Sequence, residues 1–385
     1  VAQAVCPHFL LKVADLCCPT HQQMTPEEED VWVQSIKDQS KEEILSKLDS
    51  WLMPQTDGFF EAPSGHRLHV RAVVPPSDPS ALKAKAVLLH FHGMNSHNNG
   101  RNWAVEFFPR LAQQGYVLFA VDMMGHGYSE GERALVEDWE DVFEDMASFA
   151  EELYGVSASP ARPEDFHSGV CPEVLNRVRQ LPLFLHGQSL GGMICLGVGL
   201  RLQRSQKLEK GIFRGALLAA PALQVPLPPQ AVISFLKWCV VPCCSRQPMP
   251  EAVSSSSKVH LGANFDLSDP KQKYMAEMEV VDCAHRFPKK GLGWFFKMRW
   301  GTASAYSTIF SAIDEEMKEV RFPFQIIHDP KDSICMVEGS EKLMKLSACK
   351  DKVMHRVDAG GLHVLTFVIQ EEYLKLVGSW IQQHL

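Results

Sequence analysis

Residues 181–201 read LPLFLHGQSLGGMICLGVGLR. The apolar run over 181–185 predicts a buried strand, and the small and apolar residues from Gly191 onward predict a packed helix. Between them Gly187-Gln188-Ser189-Leu190-Gly191 matches G-x-S-x-G. A serine on a sharp strand-to-helix turn occupies a strained backbone conformation. A side chain two residues before or after it would collide with the neighbouring strand or helix, so glycine is needed at both places. Ser189 then projects at the top of a sheet and at a helix N-terminus. There the helix dipole and the N–H of Leu190 favour a developing oxyanion. The pentapeptide alone also fits an inert Gly/Ser turn; the strand before it and the helix after it distinguish the two.

Working outward, strands and helices alternate. Residues 68–74 (LHVRAVV) and 84–91 (AKAVLLHF) read as strands, the second ending in His92-Gly93-Met94. Residues 103–114 fit a helix closed by Gly115, and 116–121 a further buried strand running into Asp122. The glycine-punctuated loop DMMGHGYSEGER (122–133) opens a helix over about 136–154, and its His126 and Ser129 read as tying the loop to itself. After the central helix, 215–220 is another strand, 321–327 resumes the sheet, 339–346 is a helix, 353–357 a last strand and 364–384 a closing helix. This alternation predicts an α/β fold with a mostly parallel central sheet flanked by helices, and chemistry beyond the carboxyl ends of the strands.

Two stretches depart from that rhythm. Residues 1–57 read as an N-terminal helical extension, with helix starts at Thr25-Pro26-Glu27-Glu28 and Ser40-Lys41-Glu42-Glu43 that follow capping-box logic. Residues 222–319 begin rich in proline, pass the apolar run VISFLKWCVV (232–241) and a serine tract (254–257), and end in an aromatic helix around 294–300. An insertion at that point sits over the active site as a cap. The expected organisation is 1–57 extension, 58–221 first part of the core, 222–319 cap and 320–385 second part of the core. Residues 155–180, with three prolines, read as a surface excursion.

A serine hydroxyl is a poor nucleophile until a histidine takes its proton, and the histidine needs a carboxylate to fix its tautomer. The order expected is Ser, Asp, His, each after a later strand. His328-Asp329-Pro330-Lys331-Asp332 follows one strand, and Asp358-Ala359-Gly360-Gly361-Leu362-His363 follows the next. His363 is the candidate base. Asp332 is favoured over its competitor Asp329, because Asp329-Pro330 is a turn starter on its own account. The oxyanion donors expected are the N–H groups of Leu190 and Met94, where Gly93 lets the backbone approach.

Together His92-Gly93-Met94, the stretch from Gly125 to Arg133 (GHGYSEGER), His186 to Gly192 (HGQSLGG) and Leu362-His363-Val364-Leu365 resemble the monoacylglycerol lipase and lysophospholipase branch of the α/β-hydrolases. The resemblance runs from about Gly58 to the C-terminus. It implies an α/β-hydrolase fold, Ser189 as nucleophile, Asp332 and His363 as its partners, Met94 and Leu190 as oxyanion hole, a lid that touches membranes and an acyl tunnel beneath it. The family usually has glycine where Asp329 stands and methionine or a similar residue at Leu190. The expected activity is hydrolysis of a lipid monoester, a monoacylglycerol or lysophospholipid, with no cofactor and no metal. Acyl transfer to an alcohol, a small-ester esterase or an aminopeptidase uses the same acyl-enzyme chemistry, and a non-catalytic binding scaffold is the alternative of a different class.

Composition narrows the partners. The 385 residues are 45% hydrophobic and 22% charged with a net charge of −8, which suits an ordinary globular protein and disfavours nucleic acid, for which no basic stripe is present. His90, His92 and His97 cluster on one loop but lack the further ligands that a zinc site takes. Cys335, three residues past Asp332, reads as a packed inert thiol. Eleven cysteines, with Cys17-Cys18 and Cys243-Cys244 vicinal, predict reduced thiols and a cytoplasmic setting. The apolar run in the cap predicts peripheral membrane contact. Because the chain begins at Val1, organelle targeting stays open, and no residue pattern specifies an oligomeric state.

Overall fold

Alternating side chains on the central strands divide into two cores, one on each face of a sheet. Leu89 and Leu185 pack on one side with Phe143, Met146 and Met193. Their neighbours Leu88 and Phe184 pack on the other with Phe107, Phe108, Tyr373 and Trp380. A strand buried on both faces needs helices on both faces, which is why the central strands read as continuous apolar runs. The computed structural model describes residues 31, 34–35, 57–75, 84–94, 96–100, 102–157, 162, 170, 172–249, 260–281 and 298–385.

Eight strands form the sheet: β1 (Asp57–Glu61), β2 (Arg67–Val73), β3 (Ala86–Phe91), β4 (Tyr116–Val121), β5 (Leu183–Gln188), β6 (Phe213–Ala219), β7 (Phe324–His328) and β8 (Lys352–Arg356). Their order is β1-β2-β4-β3-β5-β6-β7-β8. The first two pairings, β1 with β2 and β2 with β4, are antiparallel; every later one is parallel. The chain winds outward from β3 to β4, then returns to place β5 on the other side of β3. That reversal is the switch point at which open α/β sheets form their crevice, and the loops after β3 and β5 border it.

The helices are α1 (Phe108–Gln113), α2 (Trp139–Leu153), α3 (Pro172–Val178), α4 (Leu190–Ser205), α5 (Gln230–Phe235, continuing through a π-helical stretch Leu236–Val240 into Val241–Cys244), α6 (His260–Asn264), α7 (Pro270–Val281), α8 (Trp300–Glu316), α9 (Val337–Leu346), α10 (Leu365–Val368) and α11 (Gln370–Gln383). Asp138 caps α2 by accepting from the Glu140 N–H, so that helix starts later than the pattern suggests. The helix expected over 103–114 opens with a π-helical stretch, Asn102–Phe107. The closing helix breaks at Ile369 (φ −116°, ψ 40°), which separates α10 from α11. Expected features at 1–30, 36–56, 163–169 and 251–259 lie outside the described residues, as does the part of the aromatic segment before residue 298; α8 begins at Trp300.

Behind β5 lies a buried polar node. The Nδ1 atoms of His90 and His186 are 2.7 Å apart and His186 Nε2 is 2.8 Å from the Tyr373 hydroxyl. One Nδ1 therefore donates and the other accepts, with both rings neutral. Burial pushes the His186 imidazole from 6.5 down to about 3. His126 is likewise pushed to about 3, by burial first and then by the neighbouring His92. Unfolded, each takes up a proton as pH falls through 6.5; folded, neither does until about 3. The unfolded state thus binds more protons across that interval, so this contribution to stability is complete above pH 6.5 and falls as pH is lowered toward 3. Denaturant midpoints measured across the range are expected to decline steadily with acidity; a flat profile would contradict the neutral-histidine assignment.

Candidate active site

Ser189 sits between the end of β5 and the start of α4 with φ 59° and ψ −124°, the strained turn that lifts a serine clear of the sheet. Its backbone is held on both sides. The Ser189 N–H donates to the Ala219 carbonyl at 2.9 Å, and its own carbonyl accepts from the N–H groups of Gly192, Met193 and Ala222. A Cβ on Gly187 would lie 2.2 Å from the Gly191 carbonyl oxygen, and one on Gly191 would lie 2.0 Å from the Phe91 carbonyl oxygen of β3. Both glycines are therefore steric requirements of the turn.

His363 and Asp332 come from the loops after β8 and β7. His363 Nδ1 is 2.7 Å from Asp332 Oδ2, and Asp332 Oδ1 accepts from the N–H groups of Ile334 and Cys335 at 2.8 and 3.1 Å. Burial pushes the Asp332 carboxyl up, but the adjoining His363 with its hydrogen bond, and the nearby His328, outweigh it and hold the group below the usual carboxylate range. An ionised Asp332 requires the proton on His363 Nδ1 and leaves Nε2 bare. Nε2 is buried, and among the described residues it has no hydrogen-bond partner. His328 approaches the same carboxylate oxygen, its Nε2 donating to the Cys335 carbonyl at 2.9 Å and lying 3.6 Å from Asp332 Oδ2.

The rival carboxylate is engaged elsewhere. Asp329 Oδ2 accepts from the N–H groups of Ala359 and Gly361 at 2.7 and 2.9 Å, and Oδ1 accepts from that of Lys331 at 2.8 Å. Asp329 thus binds the loop that carries His363 rather than the imidazole.

Ser189 Oγ lies 3.8 Å from Cys335 Sγ, which brings the Asp332 turn up to the serine. The Cys335 thiol is pushed well above its ordinary value, by burial and then by the Asp332 charge, so it stays protonated. Gln188 Oε1 accepts from the Thr366 hydroxyl at 2.7 Å, which brings the His363 loop to the same turn.

The loop after β3 closes the other side. A Cβ on Gly93 would lie 3.6 Å from Ser189 Cβ. His92 Nε2 accepts from the Met123 N–H at 3.1 Å, so its proton is on Nδ1, which donates to the Gly93 carbonyl at 2.7 Å. In a trans peptide the N–H opposes the carbonyl, and the Met94 N–H is turned away from His92. Among the described residues no acceptor takes up the N–H of Met94 or of Leu190.

A buried group missed in the sequence supports this loop. Asp122 accepts from His69 Nδ1 at 2.8 Å, from the Asn98 N–H at 2.7 Å and from the Tyr128 N–H at 3.2 Å. Burial raises the Asp122 carboxyl, but the charge of His69 and its hydrogen bond prevail and keep it ionised. Ser129 donates to the Asp122 carbonyl and accepts from the His69 N–H, while His126 donates to the Met124 carbonyl; both serve the loop itself, as its glycines suggest. An acid at a strand end followed by a glycine-rich loop was the available signal. Among the described residues no group of three or more His, Cys, Asp or Glu side chains is disposed to hold a metal ion.

The family model described as serine aminopeptidase, S33, matches residues 82–164 and 163–367. The chain belongs to that family. It is similar to the monoglyceride lipase of Homo sapiens, 23% identical over 308 residues, covering 78% of this chain and 83% of the relative. It is also 24% identical over 333 residues to the monoacylglycerol lipase of Mycolicibacterium smegmatis, covering 86% and 98%. A soluble variant of the Saccharomyces cerevisiae monoglyceride lipase, solved with a substrate analogue, superposes with a TM-score of 0.60 at 15% identity over 86% of this chain and 96% of that one. The fold is that of the α/β-hydrolases, and this member of the family resembles monoacylglycerol lipases along most of its length.

Proposed function

We propose that the chain is a serine esterase that hydrolyses a lipid monoester, a monoacylglycerol or lysophospholipid, to a free fatty acid through an acyl-enzyme on Ser189. The observation that carries the reading is the convergence of three features on one turn: Ser189 at a positive φ and, among the described residues, the His363–Asp332 pair with Nε2 unpartnered and N–H groups of Met94 and Leu190 that no acceptor takes up. In the first step the Ser189 hydroxyl turns from Cys335 onto His363 Nε2, gives up its proton and attacks the ester carbonyl. Asp332 stabilises the imidazolium that forms. The carbonyl oxygen, now negative, accepts from Met94 and Leu190 at the N-terminus of α4. The protonated Nε2 then donates to the leaving alcohol, and a water activated by the same nitrogen releases the acid.

The lipid part of the reading is supported by the similarity to monoacylglycerol lipases and by α5. On that helix Phe235 is 49% and Trp238 77% exposed, an unusual placement for large apolar side chains unless a nonpolar surface receives them. In this account 58–221 and 320–385 form the catalytic core, 222–319 a cap that meets a membrane surface, and 1–57 an extension. The vicinal cysteines support a cytoplasmic setting. Among the described residues no helix is long and apolar enough to cross a membrane, and peripheral contact through the cap is the mode proposed. The double variant Phe235→Ser/Trp238→Ser is expected to bind liposomes several-fold more weakly while its hydrolysis of a short soluble ester stays within about twofold of wild type, since both side chains lie outside the core. Equal loss of both activities would show that these residues pack the cap instead. The substrate class is tested by fatty-acid release from a panel of long-chain monoacylglycerols, lysophospholipids, short esters and aminoacyl amides. Preference for the long-chain monoesters is expected, and turnover of the amides alone would replace the lipase reading with a peptidase.

A further inference from the structure

The loop Ala359–Val364, which carries His363 and runs into α10 at Leu365–Thr366, has little regular structure of its own, so its position depends on what grips it. Three separate elements do. At its start, the buried Asp329 carboxylate accepts from the N–H groups of Ala359 and Gly361. In its middle, the His363 N–H donates to the Ala263 carbonyl at the end of α6 at 2.8 Å. At its end, the buried Gln188 Oε1 accepts from the Thr366 hydroxyl at 2.7 Å and, more distantly, from its N–H at 3.4 Å. Asp329 lies on the same turn as Asp332, and Gln188 adjoins Ser189 in sequence. The grips therefore connect the base-bearing loop directly to the turns that hold its two partners.

We infer that Asp329 and Gln188 are positioning residues which splint His363 between Asp332 and Ser189 for the proposed hydrolysis. The inference rests on that reading of the site. Neither side chain is assigned contact with substrate; each acts through His363. A carboxylate suits the first grip because one oxygen receives two converging N–H donors while the other holds Lys331, a set that a neutral amide cannot reproduce since its nitrogen would oppose a donor. Geometry matters at this scale because a misplacement of about 1 Å in a reacting group costs on the order of 100-fold in rate.

The test is steady-state hydrolysis of a short soluble ester by Asp329→Asn and by the near-isosteric Thr366→Val, with Thr366→Ser as the variant that keeps the hydroxyl. Circular dichroism and the far-downfield proton resonance of His363 Nδ1–H are recorded on each. The expected result is a kcat lowered about 10- to 100-fold in Asp329→Asn and about 10-fold in Thr366→Val at unchanged KM. The downfield resonance should broaden in both, and Thr366→Ser should recover most of the loss. Wild-type kcat in folded Asp329→Asn and Thr366→Val would overturn the inference. Should Asp329→Asn not fold, the Val and Ser pair at Thr366 decides it. If the wild-type protein itself is inert toward every ester, the hydrolase reading fails, and an unchanged or broadened resonance in the variants still distinguishes a loop that is splinted from one that is not.

Discussion

Ser189→Ala is expected to lower kcat for ester hydrolysis by at least about 10⁴-fold while leaving the fold intact. The loss is large because the acyl-enzyme forms on the serine hydroxyl, and the neighbouring Cys335 thiol, kept protonated by burial, does not take its place. The fold is spared because the serine holds its turn with backbone groups. Its N–H and carbonyl bonds to Ala219, Gly192, Met193 and Ala222 do not involve the hydroxyl, whose recorded contact is the 3.8 Å approach to Cys335. Alanine meets the same backbone strain at φ 59° as serine does. Unfolding free energies of the two proteins should agree within about 0.5 kcal/mol, the range of substitutions that remove no significant contact.

Asp332→Asn is expected to cost about 10⁴-fold in kcat, again without unfolding. The asparagine oxygen can keep the bonds that Asp332 Oδ1 receives from Ile334 and Cys335, so the turn survives. Its amide nitrogen then faces His363 Nδ1 as a donor and selects the tautomer with the proton on Nε2. That tautomer cannot take the proton from Ser189. The charge that would stabilise the imidazolium is also gone. Comparing kcat for Asp332→Asn and Asp329→Asn distinguishes the two acids quantitatively, since only the first changes the tautomer; equal losses would contradict the different roles assigned to them.

Much of the architecture was legible because it rests on local rules. Continuous apolar runs ending in glycine or aspartate marked β3, β4 and β5, and the collisions found for Gly187 and Gly191 are the ones that the G-x-S-x-G turn demands. Helix ends were less legible. The break at Ile369 has no glycine or proline to mark it, whereas the π-helical stretch before α1 runs up to Pro109, which lacks the N–H that would continue the helical ladder. At the site, residue types and order pointed to Ser189, Asp332 and His363. What Asp329 does was beyond reach of sequence, since its partners Ala359 and Gly361 lie 30 and 32 positions away and are brought near only by the parallel pairing of β7 with β8. The tautomer of His92 was hidden for the same reason: it is set by the Met123 N–H on the loop after β4, 31 positions away in sequence and brought near by the parallel pairing of β4 with β3.

Whether Ser189 is an activated nucleophile is read by covalent labelling with a fluorophosphonate probe, the adduct being mapped by peptide mass spectrometry. Rapid modification of the wild-type chain at Ser189 alone is expected, slowed in Asp332→Asn and absent in Ser189→Ala. A well-folded wild-type protein that takes no label, or takes it at another residue, would contradict that role and leave a hydrolase fold without hydrolase chemistry.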